Sequence, residues 1–258
     1  MGIRPNDTTT KKILESINNN NELYFCEDAF LRCIVPNSYS LDNDKKIYQA
    51  SCGYIIDDLT SYYDATKPSR MEIILNSDFK LTKNQIERAR KNIDKLIQTH
   101  ISKYNNQPIY KPEIDRKNVK KILVVDQSYN DYSIIKGMAD SETFKTMLDC
   151  AIKENPDADV LIKTHPDTFS GKIIKKNCYY QDIKNHDNIY KITDVINPIS
   201  MIKYVDDVYV CSSQLGFEAL MAKKKVHTFG IPFYSNWGLT IDNQKCERRT
   251  KKRTLEEL

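Results

Sequence analysis

Two acids five positions apart, Asp126 and Asp131, follow the apolar run KKILVV, and two adjacent acids, Glu27 and Asp28, close the aromatic stretch LYFC. Grouped carboxylates can act as nucleophile and as acid or base. They suit glycosyl transfer, whose transition state is oxocarbenium-like. His165 ends a second apolar run, in VLIKTHPD, where Pro166 confines it to extended backbone. An imidazole held there can donate to a phosphate oxygen and, once protonated, ease departure of a leaving group. A histidine satisfied within the fold is the plainer reading. Lys163, two residues earlier, adds a cation. Ser212, Ser213 and Gln214 precede the helical stretch LGFEALMAKK. Open N–H groups at a helix start, with two hydroxyls, suit a phosphate, although Ser caps helices routinely. Glu218, one turn into that helix, can accept hydrogen bonds from ribose hydroxyls or oppose the helix dipole. Neither GxxxxGKS/T nor GxGxxG occurs, which argues against P-loop nucleotidases and NAD-binding Rossmann enzymes.

These groups recur at the ends of one kind of element. KKILVVD, ADVLIK, DVYVC and KVHTF are short apolar runs separated by helical stretches such as Ser141–Glu154, whose Phe144, Met147, Leu148 and Ala151 share a face. Strand and helix alternate through residues 119–235, the pattern of a parallel α/β unit, whose ligands bind at the carboxyl ends of the strands. Upstream, a helix is expected over Thr8–Ile17, a strand over Leu23–Phe25, and an amphipathic helix of about six turns over Leu81–Ser102. Two prolines without periodicity mark a linker in 105–118, dividing an N-terminal domain, 1–110, from a C-terminal one, 111–258.

Composition bounds the rest. The 258 residues are 40% hydrophobic and 29% charged with seven Gly, which excludes collagen-like and disordered classes. No apolar run nears the ~20 residues of a membrane span. A net charge of +4 falls short of a dedicated nucleic-acid binder, so no nucleic-acid partner is expected. It is compatible with an anionic substrate or membrane surface. Seven scattered Cys without a CxxC pair read as reduced thiols, which places the chain in the cytoplasm. The opening MGIRPNDTTTKK lacks the apolar core of a signal peptide, and Gly2 alone is a weak acylation signal. The tail carries five basic residues among Arg248–Arg253, either a solvated end or a contact for anionic lipid.

Taken together, EDAFLR (27–32), YYDATKPSR (62–70), ISKYN (101–105), VVDQSYNDYSI (124–134), KTHPD (163–167), SSQLGFEAL (212–220), PFYSNWGLT (232–240) and the closing RRTKKRTLEEL resemble the bacterial capsular-polysaccharide β-Kdo glycosyltransferases. The resemblance implies an α/β, GT-B-like fold with two Rossmann-like halves around a cleft. It implies retaining transfer of Kdo from CMP-Kdo to a Kdo-terminated (lyso)phosphatidylglycerol acceptor, alongside capsule assembly proteins and peripherally on the inner membrane. By the same resemblance Lys163, His165, Pro166, Ser212, Ser213 and Gln214 would face the CMP phosphate and Glu218 the ribose. An Asp would form the covalent intermediate. Asp131 is preferred, with Asp126 holding the loop, and Glu27 would activate the acceptor hydroxyl. No metal or other cofactor is expected. A sialyltransferase-like enzyme or an inactive Kdo-lipid-binding module would share much of this pattern. Two departures stand out. Asn130 replaces a Gly common before the second Asp, and Asn tolerates left-handed backbone. Family modules also extend beyond both ends of this chain, so it reads as a trimmed or minimal module.

Overall fold

The computed structural model describes Glu15 and residues 22–36, 41–114, 116, 118–164 and 178–258. The expected helix over Thr8–Ile17, Glu15 apart, and Gly2, His165 and Pro166 lie outside the described residues.

The main sheet grows from the apolar runs. Its strands are β3 (Lys121–Val125), β4 (Asp159–Lys163), β5 (Ile189–Ile192), β6 (Asp207–Val210), β7 (Lys225–Thr228) and β8 (Ile241–Asp242). They lie in the order β5-β4-β3-β6-β7-β8, and every neighbouring pair is parallel. Numbered from β3 as one, the order is 3-2-1-4-5-6, that of a doubly wound Rossmann-like sheet. The sheet has six strands where the sequence pattern marks four. β5 is half-buried and short, and β8 has only two residues, so neither carries the continuous apolar run of a central strand.

Alternation along β3 feeds two cores. Ile122 and Val124 pack with Phe144, Met147 and Ala151 of the helix Ser141–Glu154 on one face. Leu123 and Val125 pack with Ile199 and Ile202 of the helix Pro198–Tyr204 and Ala219 of the helix Leu215–Met221 on the other. Burial of each such aliphatic side chain contributes roughly 1.5–3 kcal/mol.

Ahead of this sheet, β1 (Phe25–Asp28) pairs antiparallel with β2 (Tyr54–Asp57). The acids Glu27 and Asp28 therefore lie within β1, paired with Ile55 and Tyr54, and not beyond the end of a strand at Leu23–Phe25. The amphipathic helix is Lys83–Thr99, 17 residues, shorter than expected. Thr82 and Gln85 form a capping box at its start, and His100 ends it in left-handed conformation at φ 58°.

The basic tail folds inward. Glu72, on the helix Arg70–Asn76, is 3% exposed and accepts from Arg248 Nε at 2.8 Å and Arg249 Nε at 3.1 Å. Arg249 Nη1 also donates to the carbonyls of Pro232 and Ser235, and Arg253 Nε to that of Leu75. Four of the five tail cations thus bind protein groups, Lys251 Nζ meeting Asp78 Oδ1 at 2.7 Å. Removing one member of a buried ion cluster strands the others, at about 3–5 kcal/mol. Glu72→Ala is expected to lower the urea midpoint by that equivalent at unchanged m, and Glu72→Gln, which keeps one acceptor, by less.

Candidate active site

The strand order reverses between β3 and β6, so connections leave these neighbours in opposite directions and their carboxyl ends stay open. A cleft of about 460 Å³ lies there. It is lined by Asp126, Gln127, Ser128, Asp131, Lys163, Ser212, Ser213, Gln214 and Glu218 from the main sheet side. Glu27, Asp28, Arg32, Tyr62, Tyr63 and Lys103 line it from the N-terminal segment. Every sequence-derived candidate within the described residues therefore borders one cavity.

The two aspartates have different surroundings. Asp126 is buried, and its carboxylate accepts from the backbone N–H groups of Gln127, Tyr179 and Tyr180. Burial pushes its pKa up against these donors. It fastens the 178–180 segment to the end of β3. Asp131 is exposed and caps the helix Tyr132–Lys136, with Oδ1 taking the N–H and hydroxyl of Ser133. Asn130 before it stands at φ 57°, the left-handed region that Asn tolerates.

Across the cleft, Glu27 Oε1 accepts from Tyr63 Oη at 2.8 Å and Ser61 Oγ at 3.2 Å. Edge-to-face rings hold this side in place: Phe30 on Phe217 and Tyr62 on Phe233, with Phe217 in turn against Phe233.

The serine pair is arranged otherwise than a bare helix start. The N–H of Ser212 donates to Gln127 Oε1, and Ser212 Oγ accepts from Gln127 Nε2. The helix begins at Leu215, whose N–H is capped by Ser213 Oγ. The N–H groups of Ser213 and Gln214 have no partner among the described residues, so they are the donors left for a ligand. Gln214 donates its side-chain amide to the Phe30 carbonyl, which turns it toward the N-terminal segment. Gly216 is required by close approach: a Cβ there would stand 2.1 Å from the hydroxyl of Tyr234, which donates to the Ser213 carbonyl.

Lys163 donates to the Asp194 and Thr164 carbonyls, and burial brings its ammonium down to about 8. Glu218 is 2% exposed, and its Oε1 accepts from Ser102 Oγ at 2.7 Å and the Lys103 N–H at 3.3 Å. It couples the helix Leu215–Met221 to the N-terminal segment, and burial pushes its carboxyl up to about 7. Among the described residues no three His, Cys, Asp or Glu side chains converge as a metal cluster.

Sequence reasoning passed over Gln127, Arg32 and Lys103. Each lies inside a quoted motif, yet its place in the cleft depends on a partner at least 72 residues away for Gln127 and Arg32, and on the return of the 102–105 segment beneath β6's helix for Lys103.

Between about pH 4.5 and 7 the folded protein keeps a proton on Glu218 that the unfolded chain has released, so stability falls as pH rises through that window. The contribution is on the order of 3 kcal/mol. Thermal melts across this range are expected to show the decline in the wild type and a flatter profile in Glu218→Gln.

The chain matches, over residues 4–258, the model of a family described as capsule polysaccharide biosynthesis protein. It is 38% identical over 191 residues to the capsule polysaccharide modification protein LipA of Neisseria meningitidis serogroup A / serotype 4A, covering 73% of this chain and 27% of that one. It is 33% identical over 243 residues to the lipopolysaccharide-processing protein LpsZ of Rhizobium meliloti, covering 92% and 52%. The chain thus spans about a quarter to a half of the length of these relatives. Among solved structures it is similar to Thermosulfurimonas dismutans KpsC, beta Kdo 2,4 transferase, at 33% identity and TM-score 0.88 over 99% of this chain and 75% of that one. KpsC, beta Kdo 2,7 transferase, follows at 29% identity and TM-score 0.68, over 97% and 71%.

Proposed function

This chain belongs to the capsule polysaccharide biosynthesis protein family, and on that premise we propose that it is a retaining β-Kdo glycosyltransferase. Its donor would be CMP-Kdo and its acceptor a Kdo-terminated (lyso)phosphatidylglycerol. The arrangement is GT-B-like, with residues 1–110 on the acceptor side and 111–258 on the nucleotide side. Its setting is capsule assembly at the inner membrane. The observation that carries the reading is the convergence of Asp131, Glu27, Glu218 and the open N–H groups of Ser213 and Gln214 on one switch-point cleft. This occurs in a chain that matches a β-Kdo 2,4 transferase over nearly its whole length. The higher likeness to that enzyme than to the 2,7 transferase favours a 2,4 linkage.

In this reading an oxygen of Asp131 attacks the anomeric carbon of the donor. The bond from that carbon to the phosphate oxygen breaks, and CMP leaves with the electron pair. The N–H groups of Ser213 and Gln214, together with Lys163 and His165 before Pro166, offset the phosphate charge, and Glu218 faces the ribose. Glu27 then takes the proton of the acceptor hydroxyl. The acceptor oxygen bonds to the anomeric carbon as the bond to Asp131 breaks. Two inversions give net retention. Asp126 supports the loop and takes no part in bond making.

The test is transfer from CMP-Kdo to a Kdo-terminated lipid, with mass spectrometry of the intact protein. Asp131→Asn is expected to lose turnover by about 10³-fold or more while CMP affinity stays within about twofold. A Kdo-sized adduct should appear on the wild type alone, and NMR of the product should show a 2,4 linkage. Normal turnover by Asp131→Asn would remove Asp131 as nucleophile. Absence of transfer by the wild type with CMP bound would remove the enzymatic reading.

A further inference from the structure

A pair of cations stands in the cleft with only one of them neutralised. Arg32 ion-pairs with Asp28 at 2.7 Å and donates to Tyr104 Oη at 2.6 Å. Lys103, next in space, holds its ammonium 5.8 Å from the centre of the Tyr104 ring, and the Arg32 guanidinium lies 5.6 Å from the same ring. Among the described residues Lys103 Nζ makes no hydrogen bond and no ion pair, although it borders the cavity. The backbone leaves it little choice of place: its N–H is bound to Glu218 and its carbonyl accepts from Arg32 and Cys33. Burial and the neighbouring Arg32 charge lower the pKa of this ammonium, while Asp131, Asp28 and Glu218 lie near enough to favour its charge. Two cations held against one ring, one of them without an ion pair, are costly unless an anion joins them.

The geometry points to Lys103, supported by Arg32, as the subsite for the carboxylate of a sugar acid. This rests on the transferase reading and deepens it. In a 2-keto-sugar acid the carboxylate is bonded to the anomeric carbon itself. A cation that recognises it must therefore share the cavity of the nucleophile that attacks that carbon, and Lys103 and Asp131 line the same cleft. The N–H groups of Ser213 and Gln214, at the end of β6, are left for the phosphate, so the two anionic parts of one donor fall to different donor groups. The terminal sugar of the acceptor carries the same acid function, and the same pair could receive it instead.

The experiment compares wild type, Lys103→Met and Lys103→Arg, each checked for an unchanged melting temperature. It measures KM for CMP-Kdo, KM for a methyl glycoside of Kdo as acceptor, and Kd for CMP. Lys103→Met, which keeps the aliphatic stem, is expected to raise one KM by about 10- to 100-fold, the loss of a charge-assisted hydrogen bond. The KM that rises tells donor from acceptor. CMP affinity should stay within about twofold, and Lys103→Arg should recover most of the loss. A parallel loss of CMP affinity would make Lys103 a phosphate ligand and overturn the inference. A fall in kcat with both KM values unmoved would do the same, by making it a partner of Asp131. If the wild type transfers nothing, titration of CMP-saturated protein with Kdo and its methyl ester still decides. The acid should bind better than the ester to the wild type and no better to Lys103→Met; equal binding of both to the wild type would sink the subsite.

Discussion

The reversal of strand order between β3 and β6 sets the rest of the structure. Two neighbouring strands send their chains apart, and the gap between their carboxyl ends is left without a covering helix. Gln127 spans that gap: its side-chain amide both accepts from and donates to Ser212, so the loop after β3 and the loop after β6 are held as one rim. Asp126, one residue earlier, uses its carboxylate on three backbone N–H groups and ties the 178–180 segment to the end of β3. With this frame rigid, Asp131 can be exposed and yet placed, because its own Oδ1 is engaged in capping a helix. Positioning and reactivity are thereby assigned to different acids of one short loop.

The N-terminal segment completes the cavity without contributing a strand to the sheet. Its attachments include rings, a buried carboxylate and an ion cluster. Rings interlock through Phe30, Tyr62, Phe217 and Phe233. Glu218 receives Ser102 and Lys103 in a buried setting. Glu72 gathers Arg248 and Arg249 from the other end of the chain. The resulting cleft mixes signs, with Glu27, Asp28 and Asp131 facing Arg32 and Lys103. That composition suits a substrate with separate anionic groups and a reacting centre that gains positive character between them.

Much of the sheet was legible in the sequence because β3, β4 and β6 are buried on both faces and must be apolar throughout. β5 and β8 were not, since an edge strand of four residues, three of them half-buried, and one of two leave no periodicity to read. The helix Arg70–Asn76 was hidden for another reason: MEIIL has strand-like content, and only the cap at Ser69 commits it to a helix. Of the candidate site, Asp126, Asp131 and the serines were readable from their places after strand ends. Arg32 and Lys103 were not, because a cation's meaning depends on what lies opposite. The tail shows the same limit. Arg248–Arg253 reads alike whether it ends in water or around Glu72, and the deciding carboxylate is 176 residues away.

That separation also bears on how the chain acquires its structure. During vectorial synthesis the helix Arg70–Asn76 emerges long before its arginines, and until they arrive a carboxylate destined for burial has only water for company. The α/β unit between them can close from contacts nearer in sequence, strand beside strand. Docking of the N-terminal segment then waits on Arg248 and Arg249, a loop closure of very high contact order. The N-terminal side of the cleft is therefore the late-folding side, and the cavity is complete only after those two arginines have been made and docked.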